Sequence, residues 1–112
     1  VNYLDEKKHR ARRQLAWCLM MQREFEKAPR LYEEIATDNA TADDYLNMGH
    51  LALATDNSNA INYYMSCIAK GGYTIETFSK KLVADSDAFR RMGLDPELIP
   101  LIVDAISYST GS

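Results

Sequence analysis

The stretch "YLNMGHLALATDNSNAINYY", residues 45–64, holds two apolar-periodic segments around the polar turn "TDNSN", with Gly49 in the middle of the first. A glycine inside a helix costs about 1 kcal/mol relative to alanine. A chain that keeps one there needs what only a missing side chain supplies, close approach by a neighbouring element. Gly49 has a counterpart. Ala16 lies 33 residues earlier, and the later landmarks Ala28, Tyr32 and Ile35 recur 32 residues on as Ala60, Tyr64 and Cys67. Each unit reads as a helix, a tight polar turn and a second helix, and self-similarity at this period signals a stacked helical repeat.

Outward from this stretch, apolar residues recur at spacings of three and four, with no strand-like alternation, so the fold class is all-α. The pattern predicts helices over about 3–22, 24–37, 42–54, 58–70 and 74–82, a short helical turn around Phe89 and Met92, and a final helix opened by Asp95 and Pro96. Thr41 and Thr74 are N-cap candidates, and Pro29 falls where a missing N–H does little harm. In the first helix Ala11, Leu15, Cys18 and Leu19 form the expected core stripe, with Arg10, Arg13, Trp17, Met20 and Met21 on another face. The last helix is the most apolar segment and must dock on the others.

The pairs Leu15-Ala16 and Met48-Gly49, followed by Ala28, Tyr32 and Ile35 or by Ala60, Tyr64 and Cys67, resemble the tetratricopeptide repeat (TPR), a helix-turn-helix unit of about 34 residues. The match is imperfect. Arg12 stands where the family often has an aromatic, Ser58 replaces another, and neither copy closes on proline. The resemblance implies a single domain, a right-handed TPR-like superhelix. Its repeats span about 9–41 and 42–73, and a helical closing segment covers about 74–108.

It also implies a function, non-catalytic protein binding or scaffolding, with a peptide or partner helix in the concave groove lined by the first helix of each repeat. By register that groove takes Arg10, Arg13, Trp17, Met20 and Met21 from copy one, and Asp43, Leu46, Asn47, His50 and Leu53 from copy two. An aromatic flanked by arginines has the composition of an interface hot spot, and Arg with Asn suits an acidic or carboxylate group. Some family members clamp a C-terminal carboxylate this way; here only Arg13 and Asn47 sit at comparable places. The alternative roles are the structural end of a longer solenoid, used for array packing or homodimerisation, and the docking arm of a larger enzyme.

The 112 residues carry a formal net charge of −3, which argues against a general nucleic-acid binder. The charge is uneven: residues 1–30 hold eight Lys/Arg against four Asp/Glu, and the remainder five against twelve. No catalytic, cofactor or metal constellation is expected. His9 and His50 stand alone and read as surface or groove histidines; Asp85 and Asp87 lack the other ligands of a calcium loop and read as caps. Cys18 and Cys67 fall in apolar patterns and read as reduced core thiols. No apolar run reaches membrane-spanning length and no signal-peptide pattern is present, which makes the cytoplasm the expected compartment. The sequence opens on Val1, as expected of a piece of a longer protein whose lost segment could carry further repeats or a targeting signal.

Overall fold

A computed structural model of the chain describes residues 3–35 and 37–111. The elements are α1 (Tyr3–Met21), α2 (Ala28–Glu33), a single 3-10 turn (Thr37–Asn39), α3 (Ala42–Ala54), α4 (Ala60–Lys70), α5 (Ile75–Ala84), α6 (Ser86–Arg91) and α7 (Leu98–Thr110). Among the described residues there is no strand.

Local chemistry sets most of these boundaries. The Thr41 hydroxyl accepts the Asp44 N–H at 3.2 Å, while the Asp44 carboxylate accepts the Thr41 N–H at 2.9 Å. This reciprocal cap starts α3 where Thr41 predicts it. Thr74 and Thr77 start α5 in the same way. The second helix is much shorter than its pattern. Arg23 takes a left-handed backbone (φ 61°) just after α1, and residues 24–27 are spent in turns closed by Glu24 N–H to Leu19 O and Lys27 N–H to Glu24 O. Helix therefore begins only at Ala28, with Pro29 in its first turn. The last helix starts later than expected: regular helix begins at Leu98 behind Glu97, which makes no side-chain cap. Asp95 and Pro96 lie in the turn before it, where the Asp95 carboxylate takes the Glu97 N–H at 2.9 Å.

Helices α1 and α2 pack on each other, as do α3 and α4; α2 and α1 also touch α3, and α7 packs on α4 and α5. Two apolar clusters result. One gathers Leu46, Tyr64, Cys67, Phe78, Leu82, Phe89, Ile102 and Ile106 from α3 to α7. The other holds Ala16, Met20, Ala28, Tyr32 and Ile35 with Leu51 and Met92, and Leu94 packs against both. The repeat landmarks Ala16, Gly49, Ala28, Ala60, Tyr32, Tyr64, Ile35 and Cys67 are all buried.

Gly49 is where the close approach occurs. A Cβ placed there would lie 2.5 Å from Cε1 and 2.7 Å from Cδ1 of the fully buried Tyr64. The tyrosine of the second helix thus occupies the space of the missing side chain.

The face of α1 differs from its expected stripe. Ala16 and Met20 are fully buried, whereas Ala11 and Cys18 are exposed and Leu15 is 51% exposed. Small Ala16 and flexible Met20 point inward and share a cluster with Met92, which follows α6. The leucine side is thereby turned outward. Cys67 is a core thiol as expected, with burial raising it to about 11, but Cys18 is not.

Candidate functional site

The residues assigned to the concave groove are split up by the chain's own C-terminal half. His50, expected at the surface or in the groove, is fully buried: Asp85 hydrogen-bonds it from the α5–α6 junction, and the Phe89 ring of α6 meets it edge-on with centroids 4.9 Å apart. Met20 is also fully buried, accepting the Tyr32 hydroxyl on its sulfur at 3.9 Å. Leu46 is core, while Asp43 is exposed and accepts the Tyr73 hydroxyl. Asn47 is half-buried beside the Tyr32 hydroxyl, whose burial raises it to about 12. Of the assigned positions, Arg10 and Trp17 remain exposed, and Met21 is half-buried. Trp17 and Met21 line a shallow hollow against Ala84, Asp87, Ala88 and Arg91.

Arg13 already holds a carboxylate. Its Nε donates to both oxygens of Asp44, at 2.8 and 3.0 Å, and another guanidinium nitrogen donates to the Asn39 carbonyl at 3.1 Å. The Nε–H is shared between the two carboxylate oxygens, a bifurcated charge-assisted contact, and with the Asn39 bond it ties α1 to the start of α3. The second expected surface histidine, His9, is buried too, accepting from Arg12 on Nδ1 at 3.0 Å.

The most concentrated buried chemistry is the chain Tyr64–His50–Asp85–Lys81. His50 Nδ1 lies 2.7 Å from the Tyr64 hydroxyl and Nε2 2.9 Å from Asp85 Oδ2. Asp85 Oδ1 pairs with Lys81 Nζ at 3.2 Å, one helical turn away. One proton arrangement satisfies every atom: neutral His50 accepts from Tyr64 through Nδ1 and donates to Asp85 through Nε2. Burial holds the His50 imidazole below its ordinary 6.5, against the pull of Asp85. Burial also pushes Asp85 upward, but the His50 hydrogen bond and the Lys81 charge outweigh it and keep the carboxyl below 3.8. The Asp85 side chain goes to His50 and Lys81 and makes no cap bond to α6, contrary to its expected capping role. The His50 and Tyr64 end of this network is fully buried, while Asp85 reaches the hollow beside Trp17 and Lys81 is part-exposed; the hydrogen bonds fasten the α5–α6 junction to α3.

Acid is therefore expected to loosen the fold. Unfolded His50 takes up a proton as the pH falls through about 6.5, while folded His50 stays neutral, so stability declines with pH by up to about 1.4 kcal/mol per unit for this group. Asp85 acts in the same direction lower down: its contribution is present above 3.8 and lost as pH falls through its depressed folded value. Melting temperatures from about pH 7.5 to about pH 5 should show this slope, and His50→Leu should flatten it; an unchanged slope in the variant would contradict the assignment.

What is left open lies on the other side of α1. Leu4, Ala11, Leu15 and Cys18 are exposed at spacings that place them on one helix face. Leu15 and Leu19 join Leu31 of α2 in a shallow apolar trough edged by Lys27, Arg30 and Glu34. Glu34 is bound by Arg12 Nε at 3.0 Å, which braces α2 against α1. The outward leucines were legible as apolar; their exposure was not.

Among the described residues, no group of three or more His, Cys, Asp or Glu side chains is placed to hold a metal ion, and no helix is long and apolar enough to cross a membrane. Comparison of the chain with protein-family models, with curated proteins and with solved structures finds no match.

Proposed function

We propose that this chain is a non-catalytic protein-interaction module in the tetratricopeptide manner: two helical hairpins and a closing C-terminal segment in a right-handed superhelix. The burial of Ala16, Gly49, Ala28, Ala60, Tyr32, Tyr64, Ile35 and Cys67 and the pairing of α1 with α2 and α3 with α4 support that reading, while Leu15 of the motif is exposed. The docking surface is the outer face of α1 with α2, rather than the concave side, where α6 lies against His50. The partner is an amphipathic helix with an apolar seam and acidic flanks.

The observation that carries this is the exposed seam of Leu4, Ala11, Leu15 and Cys18, with Lys8 exposed beside it, next to the Leu15, Leu19 and Leu31 trough, which is edged by Lys27, Arg30 and a Glu34 already bound by Arg12. An apolar helix face in a trough, read as anchors at helical spacing, is a recurring recognition mode. The basic edge selects for acid. The fixed scaffold limits the ordering cost of binding. A reducing compartment such as the cytoplasm suits a surface that carries the free thiol of Cys18.

The test uses two labelled synthetic helices with the same leucine seam, one flanked by Glu and the other by Lys. Fluorescence anisotropy should show binding of the Glu helix alone, weakened about tenfold or more by Leu15→Asp. Equal binding of both helices, or no effect of Leu15→Asp, would remove α1 as the docking face.

A further inference from the structure

The molecule presents a second exposed helix seam, and its charge is opposite to the first. On α7, Leu101 is 64% exposed and Tyr108 is 90% exposed, and Ala105 lies half-buried between them on the same face. Asp104 is on that face as well, and Glu97, just ahead of α7, lies one turn before Leu101; both are exposed. From residue 92 to 112 the sequence has Asp95, Glu97 and Asp104 and no Lys or Arg. Beside the α1 seam stand the exposed Lys7 and Lys8, with Arg12 bound to Glu34; Arg13 lies on the opposite side, held by Asp44.

We infer that the helix received by the outer face of α1 is α7 of a second copy of this chain, so that copies associate head to tail. This rests on the docking role proposed for α1. The alternatives within a symmetric pair are electrostatically poor: α1 on α1 sets two basic helices side by side, and α7 on α7 sets two acidic ones. Pairing α1 with α7 joins an apolar seam with basic flanks to an apolar seam with acidic flanks. The two seams do not meet within one copy, because α1 is held on α2 and α3 while α7 is held on α4 and α5. A contact between different faces is heterologous, and it repeats into a ring or a filament instead of closing at two copies.

Sedimentation velocity on the whole chain, over a range of concentration and salt, tests this with Leu15→Asp and Leu101→Asp. Both substitutions are at exposed positions, and an unchanged melting temperature confirms that each variant is folded. The wild-type mass should rise with concentration beyond that of a dimer and fall as salt is added. Each variant alone should associate at least about tenfold more weakly. An equimolar mixture should recover a heterodimer and nothing larger, since it contains one intact α1 seam and one intact α7 seam. Wild-type association with Leu101→Asp, or no recovery on mixing, would overturn the pairing. A wild-type monomer under all conditions that still binds the Glu-flanked helix at α1 would overturn the self-association and leave the docking role standing; a monomer that binds neither would remove both.

Discussion

Gly49→Ala is expected to destabilise the protein by about 1–2 kcal/mol, although alanine is the better helix former. In an open helix the exchange would gain about 1 kcal/mol. Here the added methyl would stand 2.5 Å from the Tyr64 ring, well inside contact distance. The ring has little room to withdraw. It is fully buried, its hydroxyl is bound to His50, and Phe78 packs edge-on against it with centroids 5.8 Å apart. Overpacking a filled site of this kind costs typically about 1–3 kcal/mol, occasionally more, which exceeds the propensity gain. Gly49→Leu, with three further carbons to place, should lose about 3 kcal/mol or more. Urea unfolding of the two variants reads both effects, and a higher midpoint for Gly49→Ala than for the wild type would contradict the packing of α4 on α3 described here.

Asp85→Ala should be about as damaging, at about 2–3 kcal/mol, for an electrostatic reason. His50 is fully buried, and without the carboxylate its Nε2–H faces no acceptor. A buried donor left unpaired costs about 1–3 kcal/mol. Lys81 loses its partner too, but its side chain is 40% exposed and water largely replaces the pairing. Asp85→Asn keeps an acceptor oxygen at the same place and should recover more than half of the loss. Chemical denaturation of the two variants distinguishes a specific hydrogen bond from simple filling of space: equal losses for Ala and Asn would mean that the carboxyl oxygen has no role in holding α6.

The fold was legible where the signal is local or periodic. Thr41 and Thr74 announce their helices through hydroxyls that reach only three residues, and Gly49 with Ala16 marks positions where a neighbouring helix must come close. The second helix was misjudged because its apolar pattern runs through residues 24–27. The left-handed turn at Arg23 is closed locally by Arg23 N–H to Met20 O and Glu24 N–H to Leu19 O, and the Arg23 Nε also donates to the Arg91 carbonyl at 2.8 Å, 68 residues away.

The candidate site was harder to read for the same kind of reason. Trp17 and Arg10 are exposed, and the carboxylate that Arg13 grips is Asp44 of α3. His50 stands where a groove residue belongs in an open array. Its burial is decided by Asp85 and Phe89, whose arrival depends on the path taken by α5 and α6. The Lys81–Asp85 spacing of one helical turn marks a supported carboxylate, and nothing local connects it to His50. With Phe89 of α6 against His50, the exposed apolar side chains among the described residues include Leu4 and Leu15 of α1, Val83 of α5, and Leu101 and Tyr108 of α7.

Coverage of His50 on α3 by Asp85 and Phe89 is the point on which the rest depends, and His50 reports it directly. Nitrogen-resolved NMR of the imidazole across an acid titration should show a neutral ring with its proton on Nε2, slow to exchange with water, and still neutral well below pH 6.5. A ring that titrates near 6.5 with its two nitrogens averaged would mean that His50 faces solvent, that α6 does not cover α3, and that the concave groove is open.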